Sequence, residues 1–123
     1  MAEKIVVIDD DEGARTATVD MLKGLGYEAL WAPNVDMGVK LCETSDAVLV
    51  ITDIMMPGKQ GYDLILEMKQ KKPSVKILAI SGGANGEVSS VLNVASGLGA
   101  DKCLAKPYGL EELRTAVVET LQA

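Results

Sequence analysis

The residues of this chain that could do chemistry follow short apolar runs. The first run ends in "IDDDE", which sets Asp9, Asp10, Asp11 and Glu12 side by side. A later run, "AVLVIT", stops on a lone carboxylate, Asp53; "VKILAI" is followed by Ser81, and "DKCLA" by Lys106 and Pro107. Carboxylates gathered at one place repel and raise one another's pKa values unless a cation neutralises them. A divalent ion is the natural remedy, and Mg²⁺ prefers hard oxygen ligands, taking one or two carboxylates plus a phosphate oxygen. With such an ion present Asp53 would be a nucleophile toward phosphorus, since aspartyl phosphates are an established covalent form. Lys106 and Ser81 would then meet the phosphoryl oxygens, and catalysis would be charge neutralisation and positioning.

Each feature also has a plain structural reading. Acidic residues opening a helix cap it and complement its dipole, which fits Asp11 and Glu12 better than Asp9 and Asp10. A lone Asp before Pro57-Gly58 is a common turn former, a Ser before Gly-Gly is ordinary loop, and a Lys before Pro is usually surface. The chemical reading requires that all of them be brought together, which only a particular fold would do.

That fold is legible in the rhythm of the chain. Short apolar runs alternate with amphipathic segments five times, the pattern of a parallel α/β sheet rather than a sandwich or bundle. Strands are predicted over Lys4–Ile8, Tyr27–Ala32, Ala47–Thr52, Val75–Ile80 and Asp101–Ala105. The first, third and fourth are nearly continuous Val, Ile and Leu, as in strands covered on both faces; the second and fifth carry polar residues and read as edges. Between them, Asp11–Leu25 sets Ala14, Ala17, Met21, Leu22 and Leu25 at helical spacing and stops at Gly26, a candidate C′ glycine. Further helices are predicted over Val35–Glu43 with Asn34 as N-cap, Gly61–Lys71 before Pro73, Gly86–Leu98 and Leu110–Leu121. The fourth is the weakest, because Ser89, Ser90, Asn93, Ser96 and Gly97 all lower helix propensity. In an open parallel sheet the ligand site lies beyond the carboxyl ends of the strands, where strand order reverses. Asp9, Asp10, Asp53, Ser81 and Lys106 all stand at such ends.

Composition narrows the classes further. A chain of 123 residues suits one domain, spanning 1–123. Its net charge of −6, from 12 Lys and Arg against 18 Asp and Glu, disfavours direct nucleic-acid binding, which depends on phosphate neutralisation. The chain has no His, which removes most zinc sites and His-assisted nucleophiles, and Cys42 and Cys103 form no CxxC. No apolar run approaches the roughly 18 residues that would cross a membrane, and "MAEKIVVIDDDE" lacks the layout of a signal peptide. A cytoplasmic location is expected, with no output domain after the last helix.

Together these motifs resemble the receiver domain of the two-component response-regulator family, over essentially the whole chain. They comprise the acidic pair Asp9 and Asp10, a D-x-x-M-P-x-x-x-G element (Asp53, Met56, Pro57, Gly61), Ser81, and Lys106-Pro107, in that order. The resemblance implies a single flavodoxin-like domain, a five-stranded parallel sheet of order 2-1-3-4-5 between helices. It implies that Asp53 accepts phosphate from the phosphohistidine of a sensor histidine kinase or a histidine phosphotransfer protein. Asp10 and Asp53 would ligate Mg²⁺ with the main-chain carbonyl of Met55, and Asp9 would act through water. It further implies a regulatory phosphoacceptor rather than an enzyme, a cis Lys106-Pro107 peptide, and a downstream protein target on the face of the fourth helix, fifth strand and fifth helix. Kinase specificity is expected in first-helix side chains such as Arg15, Thr16, Val19 and Asp20.

One departure bears on output. Receivers usually carry Tyr or Phe three residues before the Lys, where the ring swings inward on activation; here that position is Cys103, and Tyr108 follows the Pro. The switch is therefore expected to run through Ser81 and the Ser/Gly-rich segment from Gly82 to Gly99. Two rival classes remain open. A haloacid-dehalogenase-like phosphatase would use Asp9 and Asp11 as its D-x-D, although the one acidic pair that follows Lys106, Glu111 and Glu112, falls inside a predicted helix rather than at a late strand end where its metal site needs it. A receiver-like interaction module would never turn over phosphate.

Overall fold

The computed structural model describes residues 2–56, 58–82 and 87–123, and the side chains of all of these but 87–92. Strands and helices alternate along it: β1 (Lys4–Ile8), α1 (Glu12–Gly24), β2 (Glu28–Ala32), α2 (Val35–Thr44), β3 (Leu49–Asp53), α3 (Gly61–Lys71), β4 (Lys76–Ser81), α4 (Glu87–Leu98), β5 (Lys102–Ala105) and α5 (Leu110–Gln122). All pairings are parallel and the sheet order is β2-β1-β3-β4-β5, with β2 and β5 at the edges as their polar residues suggest.

The period-2 geometry of strands turns the apolar runs into two cores. Ile5, Val7, Leu49, Ile51, Leu78 and Ile80 point to one face, against Val19 and Leu22 of α1 and Leu113, Ala116 and Val117 of α5. Val6, Ile8, Val50, Ile77 and Ala79 point to the other, against α2 (Val35, Val39, Cys42), α3 (Leu64, Ile65, Met68) and Ala95 of α4. The result is a three-layer sandwich in which β1, β3 and β4 are almost wholly buried because both of their faces are covered.

Local signals set the helix ends. Asp11 caps α1 by accepting the Gly13 N–H, and Asn34 caps α2 by accepting the Met37 N–H at 2.9 Å. Gly26 adopts φ 96° just after α1, a backbone state that favours glycine. The buried face of α1 differs from the apolar spacing of its sequence. Thr18, Val19 and Leu22 are buried, whereas Ala17 is exposed and Ala14, Met21 and Leu25 are half-buried. Val19, expected among the kinase-facing residues, is therefore a core residue; Thr16 and Asp20 are exposed.

Candidate phosphoryl and metal site

The crevice lies where the strand order turns from β1 outward to β2 on one side and to β3 on the other, the switch point of a doubly wound sheet. Asp9 leaves β1 there and is only 1 % exposed. It is held from several directions. One carboxylate oxygen accepts the Asp11 N–H at 3.0 Å, the other accepts Lys106 Nζ at 3.0 Å, and the Asp9 carbonyl accepts Arg15 Nη1 at 3.0 Å. Asp10, the next residue, is exposed.

Asp53 is the last residue of β3, paired with Ile80, and is 7 % exposed. Its Oδ1 accepts the Met55 N–H at 3.3 Å and its Oδ2 accepts Lys106 Nζ at 3.0 Å. Lys106 thus bridges Asp9 and Asp53 with a single ammonium. Its own backbone N–H bonds the Ser81 carbonyl at 2.9 Å, which puts Ser81, buried at the end of β4, beside it. The Lys106-Pro107 peptide is cis. Pro57, within the D-x-x-M-P element, and most of the segment assigned to the switch, 83–86 with the side chains of 87–92, lie outside the described residues.

Electrostatics follow from this burial. Desolvation raises the Asp53 carboxyl above the usual carboxylate range, partly offset by the Lys106 hydrogen bond and charge; Asp9 pushes it further up. Burial would lower the Lys106 ammonium, but its hydrogen bonds to Asp53 and Asp9 outweigh that and hold it above the ordinary lysine value. The Asp53 carboxylate is thus more basic than an ordinary aspartate and faces the Lys106 ammonium at 3.0 Å.

Asp9, Asp10 and Asp53 each offer a carboxylate oxygen, and these oxygens lie within 4.8 Å of one another. A hard, all-oxygen donor set of this kind fits Mg²⁺ or a similar divalent cation. Met55 adjoins the cluster and is half exposed. Asp11, which the phosphatase reading pairs with Asp9, is spent on capping α1.

The backbone behind Asp53 is tight. A Cβ added to Gly61 would fall 2.5 Å from the Asp53 carbonyl oxygen and 2.7 Å from the Ile54 Cα. Both are backbone atoms, so the strand end would have to move. Gly61→Ala is expected to cost about 2–3 kcal/mol and to displace Asp53; urea melts and the amide signals of Asp53 to Met55 check this, and an unchanged melt would refute it.

Two residues of the site were not legible beforehand. Arg15 reaches Asp9 while its guanidinium lies 4.3 Å from the centre of the exposed Trp31 ring on β2. A hint existed, since a cation in the first turns of a helix opposes the dipole and calls for a local partner. Tyr108 is the other: its hydroxyl lies 2.7 Å from Thr18 Oγ1, and its ring packs on the α1 and α5 face of the sheet. Cys103 packs on the opposite face, so Tyr108 does not stand in for the aromatic expected there. Burial raises the Cys103 thiol above its ordinary value.

A doubly wound sheet with buried carboxylates and a bridging lysine at its switch point defines a class of small domains built for a phosphoryl group. The family comparison makes this specific: the chain belongs to the response regulator receiver domain family, whose model matches residues 5–118. The transcriptional regulator NtrC of Azospirillum brasilense is 33% identical over 122 residues, 99% of this chain and 25% of that protein. Sporulation initiation phosphotransferase F of Bacillus subtilis is 28% identical over 98% of this chain and 95% of its own length. The receiver domain protein (CheY-like) of Methanospirillum hungatei superposes with a TM-score of 0.87 at 26% identity, covering 99% of this chain and 95% of that one. Several curated relatives are longer, and the chain spans between about a quarter and a half of their length. Among the described residues no helix is long and apolar enough to cross a membrane.

Proposed function

We propose that Asp53 is the phosphoacceptor of this receiver domain, charged by the phosphohistidine of a sensor histidine kinase or a phosphotransfer protein in the cytoplasm. The observation that carries the reading is the Lys106 ammonium held 3.0 Å from both Asp9 and Asp53, with the Asp10 carboxylate in reach. The Asp53 oxygen attacks phosphorus, a P–O bond forms as the P–N bond to the imidazole breaks, and the imidazole leaves with the electron pair. Lys106 lies where it would balance charge on the phosphoryl oxygens, and Ser81 supplies a hydroxyl from the neighbouring strand end. Asp10, Asp53 and the Met55 carbonyl would hold Mg²⁺, with Asp9 acting through water. Bound there, the ion would neutralise the carboxylates and the incoming phosphate. A regulatory acceptor needs no turnover beyond slow self-phosphorylation by small donors and slow hydrolysis.

Downstream, the α4, β5 and α5 face is the proposed site for a protein target. The relative of near-equal length is named a phosphotransferase, which supports a role centred on passing or holding a phosphoryl group. Intact-mass measurement after incubation with Mg²⁺ and a small acyl phosphate tests the reading. One phosphoryl adduct on the wild type, absent in Asp53→Ala, is expected. An adduct that survives in Asp53→Ala and vanishes in Asp9→Ala would instead indicate phosphatase chemistry.

A further inference from the structure

We propose that Thr18 and Tyr108 are positioning residues for Lys106: the hydrogen bond between their hydroxyls pins the Lys106-Pro107-Tyr108 turn to α1 and holds the lysine between Asp9 and Asp53. The inference rests on the reading of Asp53 as phosphoacceptor and adds residues that act through Lys106 rather than on phosphate.

Thr18 sits mid-helix and is 3 % exposed, next to Val19 and Leu22 of the core. A β-branched hydroxyl residue lowers helix propensity there, and packing alone would be served equally by valine. What the hydroxyl adds is a bond across 90 residues of sequence, 2.7 Å to the Tyr108 oxygen. Tyr108 lies two residues after Lys106, so a ring tethered at its tip fixes the turn from which the lysine projects. Burial pushes the Tyr108 phenol up, so it remains a neutral hydroxyl able to donate.

The opposite side of Lys106 is confined as well. Its N–H is tied to Ser81, and a Cβ on Gly82 would come within 2.9 Å of the Lys106 Cβ, so the backbone just past β4 closes directly on the stem. Pro107 and Tyr108 line, with Ala14, Ala17, Thr18 and Met21 of α1, a groove of about 220 Å³. Open space therefore separates much of the turn from α1. The Thr18 to Tyr108 bond is the side-chain hydrogen bond that crosses it. A lysine stem has many rotamers, and holding its ammonium on two carboxylates requires a fixed base.

The test follows Asp53 phosphorylation by a small acyl phosphate with Mg²⁺ in wild type, Thr18→Val, Thr18→Ser and Tyr108→Phe. Thr18→Val and Tyr108→Phe are expected to react about fivefold more slowly, and the double variant no more slowly than either single one. Thr18→Ser, which keeps the hydroxyl, restores most of the rate and guards against a mere packing effect. In a Lys106→Ala background, Thr18→Val should change nothing further. A second readout needs no phosphorylation: the ¹H–¹⁵N signal of the Lys106 ammonium, sharp while both carboxylates hold it, should broaden in Thr18→Val. Wild-type rates with an unaltered ammonium signal in Thr18→Val and Tyr108→Phe would overturn the proposal, as would a slowing that persists without Lys106. If the wild type takes no phosphate, the phosphoacceptor reading fails, and the ammonium signal still decides the positioning role.

Discussion

Asp53→Asn is expected to take up no phosphoryl group and yet to melt a few degrees above the wild type at neutral pH. The carboxylate sits 7 % exposed at the end of a strand whose other four residues are all fully buried. Burial raises its pKa, and the hydrogen bond and charge of Lys106 only partly offset this. The folded chain therefore binds the Asp53 proton more tightly than the unfolded chain, whose aspartates titrate at about 3.9. Stability from this group is fully present below the unfolded value and is lost as pH rises through the folded one. At neutral pH the ionised group is thus a burden on the fold, one that an amide of the same shape removes. Lys106 keeps Asp9 as its partner in the variant, so no buried cation is stranded. A gain of about 1 kcal/mol, or roughly 3–6 °C in melting temperature, is the expected scale. The gain should vanish as pH falls through the folded Asp53 pKa. Calorimetric scans at neutral and acid pH check it; a lower melting temperature for Asp53→Asn at neutral pH would show that the Lys106 bond outweighs burial.

The features legible in the sequence are those that depend on strong local periodicity or on single punctuating residues. Asn34, Gly26 and Pro73 mark helix ends as their chemistry requires, and α3 runs from Gly61 to Lys71 as predicted. The strand ends were readable because a charged side chain cannot continue a run that is buried on both faces, so it marks where the strand leaves the core. The parallel architecture then put Asp9, Asp53, Ser81 and Lys106 on one edge. Pairing within that edge was not readable. That Lys106 grips Asp9 as well as Asp53 depends on the path of the β5 to α5 turn, which no periodicity encodes. The same holds for α1, where the apolar spacing of Ala14, Ala17, Met21, Leu22 and Leu25 suggested the inner face and Leu22 alone of these is fully buried. Thr18 and Val19 share the buried face with Leu22 while the two alanines line a groove, and Tyr108 supplies the partner that the buried Thr18 hydroxyl needs. Arg15 escaped for a related reason: its partners, the Asp9 carbonyl just past β1 and the Trp31 ring on β2, come from two different parts of the chain.

Lys106→Met should destabilise the chain by about 3–5 kcal/mol at neutral pH, far more than the loss of an exposed lysine, because it strands two buried carboxylates. The ammonium is itself held above the usual lysine value by Asp53 and Asp9 despite its burial. Its contribution is accordingly complete at neutral pH and lost only as pH rises through that elevated value. Without it, the hydrogen bond and charge that chiefly hold Asp53 down disappear and the Met55 N–H bond is left to oppose burial and the neighbouring Asp9, which still push it up. The deficit of the variant should then shrink as pH falls through the new Asp53 value, since a protonated acid needs no counter-charge. Mg²⁺ provides an independent check on the same cluster. A cation held by Asp10 and Asp53, with Asp9 acting through water, would take over the neutralising role of Lys106, so saturating Mg²⁺ should stabilise Lys106→Met more than the wild type. Urea midpoints measured with and without Mg²⁺, at neutral and at acid pH, separate charge from packing. Methionine keeps most of the stem volume, so an equal deficit under all four conditions would mean that the lysine acts here through contacts other than its charge.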